Sequence, residues 1–186
     1  MLGLGNGLAK KSLVRRLINT YTSDFSSGVD SWAAYSVDGT LALAGNQDSV
    51  DSENDWLKGT FDTDQTNGGS GITRANTFTD VQLGDQFSIS VKIRIISGDD
   101  HWDGSDDVIT FLYPVGSNNY PLISAGNAVQ DDTTTLDSGI IAIPVYDTDP
   151  STVGDIVIQW QIPGDKPKAG AVFYVKDIVV KQYRTS

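Results

Sequence analysis

The chain has 186 residues, 39% of them hydrophobic and 20% charged, which is the size and composition of one folded domain. It contains no cysteine, and this excludes disulfides, thiolate catalysis, iron–sulfur clusters and cysteine-ligated zinc. The formal net charge is −11, but residues 1–22 hold four cations and no acid. The nine other cations and the 24 acids leave a charge of −15 beyond residue 22, so no nucleic-acid partner is expected.

Residues 1–23 are predicted to form an N-terminal anchoring segment. Between Leu8 and Tyr21 apolar side chains recur at helical spacing, as at Leu13, Leu17 and Tyr21, which predicts an amphipathic helix of about three turns. A helix of this length is not stable alone in water, so something must cover its apolar stripe. Neighbouring protein subunits, the chain's own body, an anionic membrane and nucleic acid are the alternatives, and the acidic body disfavours the last two.

A protein partner is preferred as the cover for this stripe, and homo-oligomerisation is expected. The residues predicted to dock are Leu2, Leu4, Leu8, Lys10, Lys11, Leu13, Val14, Arg15, Arg16, Leu17 and Ile18. Because the segment is predicted to dock outside the body, its removal through residue 22 is expected to leave a folded domain. No apolar run approaches the ~20 residues that a membrane span requires, so no membrane partner is expected.

Residues 24–186 are predicted to be an all-β jelly-roll sandwich of antiparallel strands, because short apolar or alternating runs are separated by Gly, Asn and Asp. About nine strands are predicted: Trp32–Val37, Thr40–Ala44, Trp56–Phe61, Gln86–Ile96, Val108–Val115, Tyr120–Ser124, Ile140–Tyr146, Ile156–Ile162 and Val172–Tyr183.

Three local patterns refine this prediction. Phe87 to Ile95 alternate apolar and polar residues, which indicates one core face and one solvent face. Asp38-Gly39 predicts a tight hairpin that makes the strands on either side antiparallel neighbours. The stretches 67–71 (NGGSG) and 97–107 (SGDDHWDGSDD) are predicted to be loops.

The two ends of the body carry a family resemblance. The segment DFSSGVDSWAAYSVDGTLAL, Asp24–Leu43, resembles the opening of carbohydrate-binding-module-like jelly rolls of the 4/9 type, and FYVKDIVVKQY, Phe173–Tyr183, resembles their last strand. Jelly rolls of this kind are also found in virion proteins of tailed bacteriophages, including tail, fibre and capsid-decoration subunits. The resemblance implies the fold; it does not by itself imply a ligand.

The resemblance also implies a structural calcium ion between the first and last strands. Asp177 matches the family's aspartate in the last strand, and Asp24 or Asp30 would supply the second carboxylate. Ser26 and Lys176 stand where many members carry acids. The alternative is that Asp177 is a surface or cap residue and that no cofactor is bound.

Aromatic side chains are the candidates for glycan contact, since their flat faces stack on pyranose rings. These candidates are Trp102, Tyr113, Tyr120 and Trp160, whereas Trp32 and Trp56 are predicted to face the core.

No catalytic residue is predicted. The acidic loop around the single histidine, His101, contains no nucleophile-elbow serine and lacks EF-hand spacing. A solvated acidic turn is the simpler interpretation of this loop.

Two functional hypotheses follow. The first is a non-enzymatic structural protein of a tailed-phage virion, located in the virion, with the N-terminal segment docked into capsid or tail subunits and the jelly roll displayed outward. The alternative is a carbohydrate-binding module that recognises surface glycans.

Overall fold

The computed structural model describes residues 14–48, 53–66, 69–75, 78, 80–82, 84–96, 106–114, 120–128, 131–142, 153–160 and 167–185. Within these residues twelve strands are present and no helix is. The strands are β1 (Arg15–Thr22), β2 (Ala33–Tyr35), β3 (Leu41–Gln47), β4 (Trp56–Phe61), β5 (Ser70–Arg74), β6 (Gln86–Ile95), β7 (Asp106–Pro114), β8 (Tyr120–Ala128), β9 (Thr134–Asp137), β10 (Ile141–Ala142), β11 (Val153–Trp160) and β12 (Val172–Thr185). The part of the chain that is described contains no helix long and apolar enough to cross a membrane.

The strands form two antiparallel sheets, which confirms the predicted jelly-roll sandwich. The first sheet has seven strands in the order β10-β6-β12-β4-β3, with β1 also paired to β12 and β9 also paired to β6. The second has five strands in the order β2-β5-β11-β7-β8. Each of the nine predicted strands overlaps an observed one, and β1, β5 and β9 are additional.

The hydrophobic core lies between the two sheets. The alternation predicted for β6 is confirmed, because Phe87, Ile89, Val91 and Ile93 are all buried while the residues between them face outward. Trp32 is in the same core, as predicted. Trp56 is also buried but lies outside that core cluster, edge-on to Tyr174 with ring centroids 6.4 Å apart.

The predicted N-terminal helix is wrong where the structure describes it. Residues 15–22 form β1, which pairs antiparallel with β12 from Arg15↔Thr185 to Thr22↔Val179. A register shift between Leu17 and Asn19 places Leu17 at 50% exposure but Tyr21 in the core. The apolar residues four apart therefore lie on opposite faces of the sheet. The available pairing edge of β12 and the β-branched and aromatic residues in RRLINTYT outweigh the helical spacing.

The predicted hairpin at Asp38-Gly39 is also wrong. β2 pairs with β5 in the second sheet, whereas β3 pairs with β4 in the first, so the turn crosses between sheets. Gly39 has the left-handed φ of +67° that this turn needs. The buried Gln65 side chain bonds both the N–H of Asp38 (2.8 Å) and its carbonyl (2.9 Å), and the Thr66 N–H donates to the Asp38 carboxylate at 2.6 Å. These contacts separate the strands that a local turn would have paired.

The predicted loop at 67–71 is wrong at its end. Ser70 and Gly71 begin β5, which pairs with both β2 and β11 inside the second sheet. A Cβ at Gly71 would overlap the carbonyl oxygen of Ile158, so glycine is required there by close approach of the neighbouring strand. Most of the acidic loop, residues 97–105, lies outside the described residues, and Asp106 and Asp107 begin β7.

Candidate functional site

The outer face of the five-stranded sheet is the candidate site. Backbone register defines this face, because Ile72 of β5 and Ile158 of β11 are opposite each other and both are in the core. Residues at alternate positions therefore face outward. They are Ala33 and Tyr35 on β2, Gly71 and Thr73 on β5, and Val157 and Gln159 on β11.

Side chains in the middle of this face are buried although they point away from the core between the sheets. Val157 is fully buried although it lies outside the core cluster between the sheets. Its register partners are Thr73 on β5 and Phe111 on β7. Thr73 is half-buried, and its hydroxyl donates to the carbonyl of Ile156 at 3.2 Å. The middle of this face is thus formed by β5 and β11.

Gln159 adds an amide to the middle of this face. The residue is only 6% exposed, and it lies opposite Gly71 in register. A Cβ on Gly69 would come within 3.3 Å of the Gln159 amide nitrogen, so the amide lies directly over the glycine-rich start of β5. No hydrogen bond joins this amide to another described residue. An amide has two N–H donors and a carbonyl acceptor, and the several hydroxyls of a sugar can pair with each of them.

Tyr35 lies on the same face, on the edge strand β2. It is half-buried and stands opposite Gly71 across the β2–β5 pair. Tyr35 and Gln159 thus lie on either side of Gly71, which has no side chain to separate them. An aromatic face beside hydrogen-bonding groups is the arrangement that binds sugar rings.

The predicted glycan contacts are only partly brought to this site. Trp160 is a core residue and is wrong as a sugar platform: it is 1% exposed, and its ring packs 4.1 Å from Phe173 and 6.4 Å from Phe61, centroid to centroid. Tyr113 lies in β7 and Tyr120 in β8, both strands of this sheet. Trp102 lies outside the described residues.

Sequence reasoning missed Gln159, Tyr35, Thr73 and the two glycines. A signal for Gln159 was present, since it is the one polar residue in the run IVIQW. What the sequence could not supply was the register that sets this residue opposite Gly71.

The three carboxylates predicted to bind calcium do not form a metal site. Within the described residues no group of three or more His, Cys, Asp or Glu side chains is placed to hold a metal ion. Asp177 forms an ion pair with Lys92 at 2.8 Å, which raises the pKa of that lysine. Asp24 accepts hydrogen bonds from the hydroxyl and N–H of Ser26, and these lower the pKa of its carboxyl.

Asp30 is committed to a structural network at one end of the sandwich. Its carboxylate accepts a 2.6 Å hydrogen bond from the Tyr21 hydroxyl and lies 3.6 Å from the Arg74 guanidinium. The Tyr21 hydroxyl in turn accepts from the Trp32 indole N–H at 3.0 Å. Burial, followed by the hydrogen bond to Asp30, raises the pKa of Tyr21 well above its usual range. The predicted calcium ligands are therefore occupied by protein partners.

The predicted docking residues fall into two groups. Leu2, Leu4, Leu8, Lys10, Lys11 and Leu13 lie outside the described residues. Val14 is 63% exposed and Arg15, Arg16 and Leu17 are exposed along β1, with Ile18 half-buried. Part of the predicted anchoring segment is thus a strand of the chain's own sandwich, and the predicted boundary at residues 23/24 falls directly after this strand.

No family model and no curated protein matches the sequence. Solved structures do match the fold. The C-terminal family 22 carbohydrate-binding module of Clostridium thermocellum Xyn10B is similar over 86% of this chain and 91% of its own, with 15% identity and a TM-score of 0.61. The xylan-binding CBM22-1 domain of Paenibacillus barcinonensis Xyn10C is similar over 94% and 99%, with 13% identity and a TM-score of 0.58.

A larger protein matches through one part only. The chain covers 28% of a C. thermocellum Xyn10B fragment that joins a CBM22-1 module to GH10 and was solved with xylohexaose, with 11% identity and a TM-score of 0.55. At these identities the similarities establish the fold. The structural neighbours are carbohydrate-binding modules, and they lend no support to the phage structural role.

Proposed function

We propose that this chain is a non-catalytic carbohydrate-binding module whose outer five-stranded sheet face binds a glycan. The observation that carries the proposal is the strand register, which sets Gln159 and Tyr35 on either side of Gly71 on the outward-facing side of the sheet. The amide would bond sugar hydroxyls and the tyrosine ring would stack on a pyranose face. This is the alternative that the sequence left open, and it replaces the virion subunit as the preferred function.

The fold neighbours support the ligand class and suggest where to begin. Two of the similar structures come from proteins described as xylan-binding or solved with a xylo-oligosaccharide. Xylan is therefore the first polysaccharide to test, followed by cellulose, mannan and mixed-linkage glucan. The absence of a cation among the outward-facing residues named above also suits a neutral polysaccharide.

The test measures how strongly the protein is retarded in native gels that contain each soluble polysaccharide. Calorimetry with the matching oligosaccharide then gives the dissociation constant. Gln159→Ala should weaken binding roughly 2- to 10-fold, the effect of losing a single hydrogen bond. Tyr35→Ala should weaken it about 10-fold or more, because a stacked apolar face is lost. Gln47→Ala, a half-buried glutamine on β3 of the other sheet, is the matched control and should bind normally.

Two results would count against the proposal. One is that no polysaccharide in the panel binds the folded protein. The other is that Gln159→Ala and Tyr35→Ala bind like Gln47→Ala, which would move the site away from this face.

A further inference from the structure

The outer face of the seven-stranded sheet concentrates positive charge. Nine Lys and Arg residues follow residue 22 in a body of charge −15, and five of the nine lie on this face. Each of the five adjoins a core residue of its own strand, as Lys58 follows Leu57 and Lys176 follows Val175, so its side chain faces away from the core. The five are Lys58 on β4, Lys92 and Arg94 on β6, and Lys176 and Lys181 on β12.

Strand register places a tyrosine between two of these cations. Tyr174 on β12 lies opposite Lys58 of β4 on one side and opposite Arg94 of β6 on the other. Directly opposite residues in antiparallel strands have Cβ atoms about 4.5–5.5 Å apart, so the three side chains are neighbours. Tyr174 is half-buried, and the Trp56 ring packs edge-on against its ring. The centre of the face is therefore an aromatic ring flanked by positive charge.

Part of this charge has no carboxylate partner in the described residues. Lys92 pairs with Asp177 at 2.8 Å, and Lys176 pairs with Glu53 at 3.5 Å. No ion pair or hydrogen bond joins the side chain of Lys58 to another described residue. Like charges on one sheet face repel each other, and a bound anion beside Tyr174 would relieve that repulsion.

The face reaches solvent on both sides of the cations. Ala44 of β3 is exposed and lies opposite Lys58, and Thr20 of β1 is exposed and lies opposite Lys181. The side chain of Lys92 is 36% exposed. Small exposed neighbours leave room for a ligand to lie across the strands.

We infer that this face binds a polysaccharide that carries uronic acids. Tyr174 stacks on a pyranose ring, Lys58 pairs with a carboxylate, and the buried Arg94 adds positive potential. The body of charge −15 repels a densely charged polyanion such as nucleic acid, whereas a uronate carries at most one charge per sugar and offers apolar ring faces. The site is on the opposite sheet from the proposed neutral-glycan face and does not depend on it.

The test measures retardation of the full chain in native gels that contain polygalacturonate. Retardation should fall as salt rises and should be at least about tenfold weaker with carboxyl-reduced polygalacturonate, which is neutral. Lys58→Glu should weaken binding about tenfold or more, because it sets a like charge against the ligand. Lys58→Arg keeps the charge and should bind normally. Lys168→Ala, an exposed lysine in the loop before β12, is the matched control and should also bind normally.

A second pair of measurements separates the two glycan sites. Gln159→Ala should leave polygalacturonate binding unchanged, and Lys58→Glu should leave binding of neutral polysaccharides unchanged. Tyr174→Ala should weaken polygalacturonate binding about tenfold through loss of the stacked ring. The Lys58 variants remain informative if Tyr174→Ala is unstable, because Lys58 is half-buried and bonds no other described side chain.

Four results would overturn the inference. They are no retardation by polygalacturonate, equal retardation by its carboxyl-reduced form, and equal binding by Lys58→Glu and Lys168→Ala. The fourth is binding of poly-glutamate as tight as that of polygalacturonate, which would make the face a site for an acidic protein.

Discussion

Removal of residues 1–22 should unfold the domain, because β1 is built into the sandwich. The strand pairs with β12 at seven positions, which corresponds to about seven backbone hydrogen bonds of roughly 1 kcal/mol each. Ordering its eight residues costs about 1–2 kcal/mol per residue, so the backbone pairing alone contributes little net stability. The net loss must come from the side chains.

Two side chains of β1 supply that loss. Tyr21 is 8% exposed, and burying its ring stabilises the fold by about 2–3 kcal/mol. Its hydroxyl accepts from the buried Trp32 indole, and an orphaned donor there costs about 1–3 kcal/mol. Asn19 donates to the fully buried Gln182 at 2.8 Å, and losing that partner costs a similar amount. The total of about 4–9 kcal/mol approaches the whole stability of an ordinary domain.

The assay is thermal unfolding monitored by circular dichroism. It compares two truncated chains, which begin at residues 14 and 23, at equal concentration. A chain that begins at residue 14 keeps every contact described above and should melt cooperatively near the full-length temperature. A chain that begins at residue 23 should already be unfolded at 25 °C, or should melt at a far lower temperature than the chain that begins at residue 14. Equal melting temperatures for the two truncations would refute the reasoning and favour an anchoring segment separate from the body.

Three further predictions concern stability. Burial of Asp85 opposes its ionisation, but hydrogen bonds from Arg184 and from neighbouring groups outweigh this effect and lower the pKa of its carboxyl. The ionised Asp85 therefore stabilises the fold above the unfolded-state pKa near 4, and this contribution is lost as the pH falls below it. Asp85→Asn should cost roughly 3–5 kcal/mol at pH 7 in urea unfolding and flatten the acid dependence, and an unchanged acid profile would contradict this. Gly59→Ala should destabilise by at least about 1–3 kcal/mol in the same assay, since its Cβ would overlap the Phe173 ring; a neutral effect would show that the ring can move. Trp160→Ala should lower the free energy of unfolding by about 3–5 kcal/mol in calorimetry. A melting temperature equal to that of the unsubstituted protein would place Trp160 outside the core.

The fold class was predictable from the sequence because it follows from local chemistry. Period-two alternation in β6 and the turn-forming Asp, Asn and Gly residues indicate strands wherever those strands later pair. The wrong predictions arose where a local sequence pattern is compatible with two different structures. The spacing of Leu17 and Tyr21 fits a helix, and only pairing with β12 makes residues 15–22 a strand. Asp38-Gly39 fits a hairpin, and only the contacts of Gln65 and Thr66 turn it into a crossing between sheets.

The candidate site was less predictable than the fold. Aromatic residues were the natural sequence candidates, yet Trp160 is in the core and shares its strand with Gln159, which faces the opposite way. A single residue of register decides which of these two neighbours points away from the core between the sheets. Sequence composition contains no information at that resolution.

The sequence by itself therefore determined that this chain is a β-sandwich with an acidic body and a basic beginning, because composition and periodicity act residue by residue. The tertiary structure decided that β1 belongs to the first sheet. It also decided that Gln159 on β11 and Tyr35 on β2 both lie opposite Gly71 on β5. These decisions depend on pairing between residues far apart in the chain. Which edges and faces remain open is settled only once every strand has chosen its neighbours.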